Sequence, residues 1–390
     1  MVSGSLPDIR CGIGDYTARL ASELARRPDL AVSVLTSKTS RVRLDAATPA
    51  EILPVAEWGL GSLFSLVRTI SRSAPHIVHI QYPAVGYGRG LGIVLLSLAV
   101  RWFCRVPTVL TIHERRERRS LARLVINFMA LSSSLVVTLD PVEASDLKLA
   151  LGRFAPQALT GKMISTIPVV SNVDRHAWRR GMGASDEDVV VVTFGLIHPR
   201  RRVEDIIDAV AQVGRVPIAA RLWIVGGEAE YDPETARVYA ASLREKAHSS
   251  GLDGVVRWMD HADARAVSAC LQSSDVSVFL YPDGASGRNT TLQAALDHGL
   301  PVVTTDGPAT SHSLRDNPRL LLLPAGAYTT SELAIALIQA KQLGSRGGQS
   351  PAEASNLQDH VDFHLGAYHR LLQGQRRDRG LGASLESRRP

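Results

Sequence analysis

The sequence predicts an α/β protein built from two doubly wound, Rossmann-like domains, and three observations carry that prediction. Short runs rich in Val, Ile and Leu alternate with longer amphipathic stretches, the pattern of βαβ units around a parallel sheet. The rhythm stops at a polar segment, Arg179–Asp188, and then begins again. Each half also carries a glycine-bearing turn where a strand should feed a helix.

In the first half, strands are expected at Ala31–Leu35, Ile77–Ile80, Thr108–Ile112, Leu135–Thr138 and Ile164–Ile167. Apolar runs this short are too brief for helices, which need about ten residues or more. Gly12-Ile13-Gly14 opens a helical pattern over Asp15–Arg26. In the second half the strands fall at Val189–Phe194, Ala220–Val225, Val255–Trp258, Val276–Leu280 and Val302–Thr304. Gly195 follows the first of these, ahead of a helix over Val203–Val213. Ser345–Ser355 is rich in Gly, Ser and Gln, Leu357–Leu372 reads as a helix, and the residues beyond it are Arg-rich with little apolar content. The expected organisation is therefore a first domain over 1–175, a second over 176–345, a linker and closing helix over 346–373, and a disordered basic tail over 374–390.

Composition agrees with this plan. With 390 residues, 45% hydrophobic and 21% charged, the chain is long enough for two cored domains, which excludes wholesale disorder. A net charge of +6 favours anionic ligands or an anionic surface. Nucleic acid is not expected, because aromatics are only 5% of the chain and none interleaves with the basic residues as a stacking platform. The three cysteines are far apart and lack metal-ligand spacing, so neither a disulfide framework nor a zinc site is expected. The most apolar run, Leu91–Val100, is cut by Arg101 and is shorter than the roughly 18 residues a bilayer span needs. With no signal-peptide pattern at the start, the expected location is cytoplasmic.

Three clusters are candidates for chemistry. The run Tyr281–Thr305 passes from a strand through a Gly-rich loop into a helix and out to the next strand. Backbone N–H groups around Asn289, Thr290 and Thr291 at that helix start would form an anion site, with Arg288 beside it. By spacing alone the run is equally a capped turn with Gly299 as the helix stop. In Phe194–Ala209, Arg200, Arg201 and Arg202 stand between a strand and a helix, where a guanidinium can neutralise a diphosphate; taken alone they read as a solvated charge run. His113 follows the apolar strand Thr108–Ile112, a place where a lone histidine is more often a structural hydrogen-bonding residue than a catalyst.

Taken in order, these fragments resemble the GT-B fold glycosyltransferases of group 1, also called family 4. Arg10–Thr17 is similar to the family's N-terminal glycine loop, His76–Pro83 to its third strand and turn, and Thr111–Glu114 to its catalytic-histidine strand. Ile167–Asn172 resembles the interdomain segment, Phe194–Ala209 the phosphate-binding turn, Asp283–Thr305 the donor loop and helix, and Leu357–Leu372 the closing helix.

The resemblance implies two domains facing across a cleft and a retaining transfer from a nucleotide diphosphate sugar, with no cofactor and no metal. It implies that Gly12, Gly14 and Gly195 approach the donor, that Arg201 replaces the usual phosphate-binding Lys, and that His113 contacts the donor sugar. The family's two donor-loop glutamates fall here on Ser286 and Ala294. Asp283, Ser286 and Arg288, with Arg200, are therefore expected to make donor contacts instead. The acceptor is expected to be carbohydrate or lipid-linked, in surface polysaccharide or glycolipid synthesis. Arg115–Met129, basic and then apolar, would suit an anionic membrane surface, or else a buried helix with a solvated end. The missing carboxylates leave a catalytically silent GT-B nucleotide- or partner-binding protein as the alternative.

Overall fold

The computed structural model describes residues 1–9, 11–38, 50–55, 57–115, 120–213, 219–229, 232–260, 262–344 and 352–378. The chain forms two compact units, Met1–Lys162 with Leu357–Pro390 and Met163–Asn356. The division falls at Lys162/Met163, ahead of the boundary expected at 175/176 and of the polar segment Arg179–Asp188.

In the first unit, α1 (Gly12–Ala25) precedes β1 (Ser33–Ser37) and β2 (Glu51–Val55). Then come α2 (Leu63–Ser73), β3 (Val78–Tyr82), α3 (Gly92–Ala99), β4 (Thr108–Ile112), α4 (Ser120–Ser132), β5 (Leu135–Thr138), α5 (Pro141–Leu151) and β6 (Ala158–Thr160). The strands β3-β4-β5-β6 pair in parallel, as do β1 and β2. Val2 bridges Leu35 on β1 and Ile80 on β3, joining the two sets. Every residue of β4 and β5 is buried, as expected of strands covered on both faces.

The second unit contains α6 (Arg175–Gly181), β7 (Val189–Phe194), α7 (Val203–Val213), β8 (Ala220–Val225), α8 (Pro233–Ser249) and β9 (Val256–Met259). It continues with α9 (Ala264–Ser273), β10 (Val276–Phe279), α10 (Thr290–Asp297), β11 (Val302–Asp306), α11 (His312–Arg315), β12 (Leu320–Pro324) and α12 (Thr330–Gly344). Its parallel sheet runs β12-β11-β10-β7-β8-β9, a doubly wound order that reverses direction between β7 and β10. Alternation along β7 shows both faces filled. Val189 and Val191 pack with Ile206, Val210 and Leu337, whereas Val190 and Val192 pack with Leu271, Leu292 and Ala295. The last helix, α13 (Ala352–Asp378), is grouped from Leu357 onward with the first unit.

Several expectations need correction. Ile164–Ile167 is not a strand, because the Ser165 hydroxyl accepts from Ile167 N at 2.9 Å and closes a local turn in place of a ladder bond. The edge strand lies earlier, at Ala158–Thr160. The polar segment Arg179–Asp188, expected within the second domain, is tied into the second unit: Arg179 is 2% exposed, meets Asp275 at 2.6 Å and donates to the Ser273 carbonyl at 2.9 Å. A buried guanidinium is tolerable when its donors are satisfied in this way. The expected tail from 374 begins as helix, since α13 continues to Asp378; residues 379–390 lie outside the described residues.

Candidate active site

In the first unit the site residues gather where α1, β3, β4 and α13 meet. His113 directly follows β4; its backbone N donates to Tyr82 O at 2.9 Å, which fixes the turn, and its side chain is 3% exposed. Its Nε2 lies 2.8 Å from Gln81 Oε1, and its ring sits edge-on to Tyr16 at 4.9 Å. The Gln81 carbonyl therefore holds the His113 proton on Nε2. The Gln81 amide turns the other way, toward His79 Nε2 at 3.2 Å, which also receives the Thr111 hydroxyl at 2.6 Å. With two donors on Nε2, His79 donates from Nδ1 to Tyr368 Oη at 2.6 Å. Burial pushes the His79 and His364 pKa values well below the ordinary range, followed by the neighbouring positive or protonatable groups. Both rings are neutral.

The two glycines of the N-terminal loop serve different ends. The helix begins at Gly12 rather than at Asp15, so both lie in its first turn. A Cβ on Gly14 would come within 3.1 Å of the Leu6 backbone, whereas one on Gly12 would meet nothing within 4 Å. Gly14 is thus required for packing, and Gly12 leaves the start of α1 open. Asp15, which lies between Gly14 and Tyr16 in the chain, was passed over by sequence reasoning; burial raises its pKa to about 6. An acid in a helix's first turn was the only signal for it.

In the second unit the site lies at the carboxyl ends of β7 and β10, the switch point where ligands of open α/β sheets bind. Gly195 has φ +123°, and a Cβ there would stand 3.2 Å from the Thr291 methyl and 3.6 Å from an Arg201 guanidinium nitrogen. Arg201 lies over the Tyr281 ring at 5.3 Å, and the Tyr281 hydroxyl meets Thr291 Oγ1 at 2.9 Å. Burial raises the Tyr281 pKa against the opposing pull of Arg201. Gly195, Arg201 and Thr291 are therefore brought together, with Tyr281 as the piece that the site prediction missed. An aromatic residue just after β10 was its signal.

The loop from Asp283 to Asn289, where donor contacts are expected, is held by its own polar groups. Asn289 Oδ1 accepts from Ser286 N at 2.7 Å, and Ser286 Oγ accepts from Arg288 N at 3.3 Å. Asn289 consequently makes no side-chain cap on α10, leaving the amides around Thr290 and Thr291 directed at the helix mouth. Arg200 pairs with Asp283 at 3.6 Å, both of them well exposed. Arg202 bonds to Asp205 at 2.6 Å and borders a hollow of about 340 Å³ with Arg200, Tyr281, Thr305 and Tyr328. Ala294, where the family carries its second glutamate, is fully buried among apolar neighbours. Among the described residues, no group of three or more His, Cys, Asp or Glu is arranged to hold a metal ion.

Residues 11–160 match the family model described as a glycosyl transferase 4-like domain, and residues 188–342 match the model described as glycosyl transferases group 1. No curated protein matches the chain. Among solved structures it is similar to Anabaena Alr3699/HepE in complex with UDP and glucose, with 16% identity, 95% of this chain and 96% of that one covered, and a TM-score of 0.64. A glycosyltransferase from Rickettsia africae ESF-5 is 12% identical over 93% and 96% of the chains, with a TM-score of 0.69. WaaG, a glycosyltransferase involved in lipopolysaccharide biosynthesis, is 15% identical over 93% of each chain, with a TM-score of 0.56. These likenesses show the GT-B fold, and the two matched models, covering most of both units, show that the chain belongs to the group 1 glycosyltransferases.

Proposed function

We propose that this glycosyltransferase moves a sugar, with retention of anomeric configuration, from a nucleoside diphosphate sugar to a hydroxyl of a carbohydrate or lipid-linked acceptor. The process served is the building of a surface polysaccharide or glycolipid, with the acceptor presented at a membrane. The observation that carries this reading is the convergence of Gly195, Arg201 and Thr291 at the switch point, beside a helix mouth without a side-chain cap. That arrangement suits a diphosphate: positive charge, backbone donors and a glycine that lets the ligand approach.

In this reading Arg201 and Arg288 hold the diphosphate, and Gly12 leaves room for it at the start of α1. Asp283, Ser286 and Arg200 lie along the donor loop, and His113 meets the transferred sugar. The bond from the anomeric carbon to the diphosphate oxygen breaks, and its electron pair leaves with the nucleotide. The acceptor hydroxyl attacks from the same face and passes its proton to the departing phosphate oxygen. Charge builds on that oxygen in the transition state, where the two arginines and the α10 amides stabilise it more than in the ground state. No metal or cofactor takes part. Anabaena HepE binds UDP-glucose, so UDP-sugars are the first donors to try.

Turnover of Arg201→Ala and Arg288→Ala tests the assignment, and unchanged rates in both would contradict it. A catalytically silent nucleotide- or partner-binding protein is the second reading, favoured by Ser286 and Ala294 in place of the two glutamates. Nucleotide binding without any turnover would select it.

A further inference from the structure

We propose that the outer face of the α2–α3–α4 layer docks on a membrane surface of anionic phospholipid, with Trp102 and Phe103 as the inserting side chains. The first observation is a helix that is apolar on both sides. Ile126, Met129 and Ala130 of α4 are buried in the core, yet Leu121 and Leu124 are 74% and 63% exposed and Phe128 and Leu131 are exposed beside them. The spacing from 121 to 124, 128 and 131 makes one stripe along the helix. A helix covering only its own domain would carry polar residues there.

The neighbouring element repeats the pattern. α3 packs between α2 and α4 and runs on into a π-helical turn, Val100–Cys104. Ile93, Leu96 and Val100 point into the core, while Trp102 and Phe103 stand 76% and 79% exposed. The Arg101 guanidinium donates to Ser132 O at 2.9 Å and ties the turn to the end of α4. On α2, Phe64 is 77% exposed. Apolar surface on this scale marks an interaction site.

Charge decides the occupant. No Asp or Glu occurs from Gly59 to His113, nor from Ser120 to Leu139. Arg68, Arg72, Arg105 and Arg123 are exposed on or beside the same helices. A second copy of the face would set arginine against arginine with no carboxylate to answer it. Anionic headgroups pair with that rim while Trp and Phe enter the acyl boundary, about 5–10 Å deep. Among the described residues no helix is long and apolar enough to cross a membrane, so the contact is peripheral. The segment expected from sequence gives only part of this surface: Arg115 is 6% exposed and donates to Asn127 Oδ1, and Arg116–Arg119 lie outside the described residues.

This inference rests on the proposed function for its purpose, since it says where a membrane-borne acceptor is met, but its test is separate. The full-length protein is sedimented with vesicles of phosphatidylcholine alone and of phosphatidylcholine mixed with phosphatidylglycerol. Binding roughly tenfold stronger to the anionic vesicles is expected, weakened by salt. The double variant Trp102→Ser/Phe103→Ser should lose binding about tenfold at an unchanged melting temperature, because both side chains are already exposed; Leu121→Ser/Leu124→Ser should act in the same direction. Absence of binding, equal binding to both vesicles, variants that bind as well as the parent, or an effect of the variants on self-association alone would each overturn the proposal. Donor hydrolysis without vesicles is measured alongside. Its loss while vesicle binding persists would count against the transferase reading and leave the docking face standing.

Discussion

The Tyr16 hydroxyl lies 2.8 Å from His360 Nε2, tying the first helix of the chain to the last across 344 residues of sequence. The same hydroxyl reaches His364 Nε2 at 3.1 Å, and all three side chains are buried. One phenol thus fastens α13 to the face of the first unit that also holds His113. Tyr16→Phe removes both bonds while keeping the ring, and leaves two imidazole nitrogens without that partner. A loss of about 1–3 kcal/mol in unfolding free energy is expected, read by urea denaturation. A midpoint equal to the parent's would show the contact to be incidental.

Acid should loosen this strap. Burial lowers the His360 pKa from 6.5 to about 4, and His79 and His364 are shifted the same way. A histidine harder to protonate when folded leaves the folded state with fewer bound protons than the unfolded one. Its stability is intact above pH 6.5 and is lost as pH falls from there toward about 4. His360 alone accounts for roughly 3 kcal/mol over that window. Melting temperature measured against pH should fall across it, and His360→Gln, which still offers Tyr16 a polar partner, should flatten the slope. A profile flat down to pH 4 would contradict the account.

Gly12 and Gly14 separate packing from function. Gly14→Ala drives a Cβ against the Leu6 backbone and should cost about 1–3 kcal/mol of stability. Gly12→Ala enters open space in a helical turn, so stability should hold or rise by up to about 1 kcal/mol. If the diphosphate approaches there, the same variant raises KM for the donor. Denaturation and steady-state kinetics on the two proteins check both halves.

Arg201 is expected to dominate the chemical step. Arg201→Ala should lower kcat by roughly a hundredfold, the scale of a lost transition-state donor. Arg201→Lys should recover part of it, because charge survives although the planar fork does not. Tyr281→Phe, which keeps the ring beneath Arg201 and loses the hydroxyl's bonds to Thr291 and Arg201, should change kcat by less than tenfold, or about 1 kcal/mol. Equal losses in Tyr281→Phe and Arg201→Ala would mean that the hydroxyl, not the guanidinium, is the working group.

Local sequence carried the strands and the switch-point loop well. β4, β5, β7 and β8 lie at the expected residues, because a parallel strand buried on both faces must be a short continuous apolar run. β2, β6 and β12 escaped notice: β2 contains Pro54, β6 is only three residues long, and β6 and β12 are less fully buried. The glycine loop and the Arg run were legible through their resemblance to the family's motifs, since the Arg run by itself reads as a solvated charge run. The network of Tyr16, His79, Gln81, His360, His364 and Tyr368 was not. Its members lie on α1, β3 and α13, and only folding makes neighbours of residues so distant, each of which alone reads as an ordinary buried polar group. Trp102 and Phe103 were passed over for a related reason: they follow the apolar run Leu91–Val100 just past Arg101, and two such residues look like core until exposure is known.

The most direct test of the central claim is a screen of the purified protein against UDP-, GDP- and ADP-sugars with a chelator present, reading thermal shift and release of free nucleotide together. The account predicts that one donor class raises the melting temperature and is slowly hydrolysed, and that Arg201→Ala abolishes the hydrolysis. A protein that is neither stabilised by, nor active on, any nucleotide sugar would contradict it.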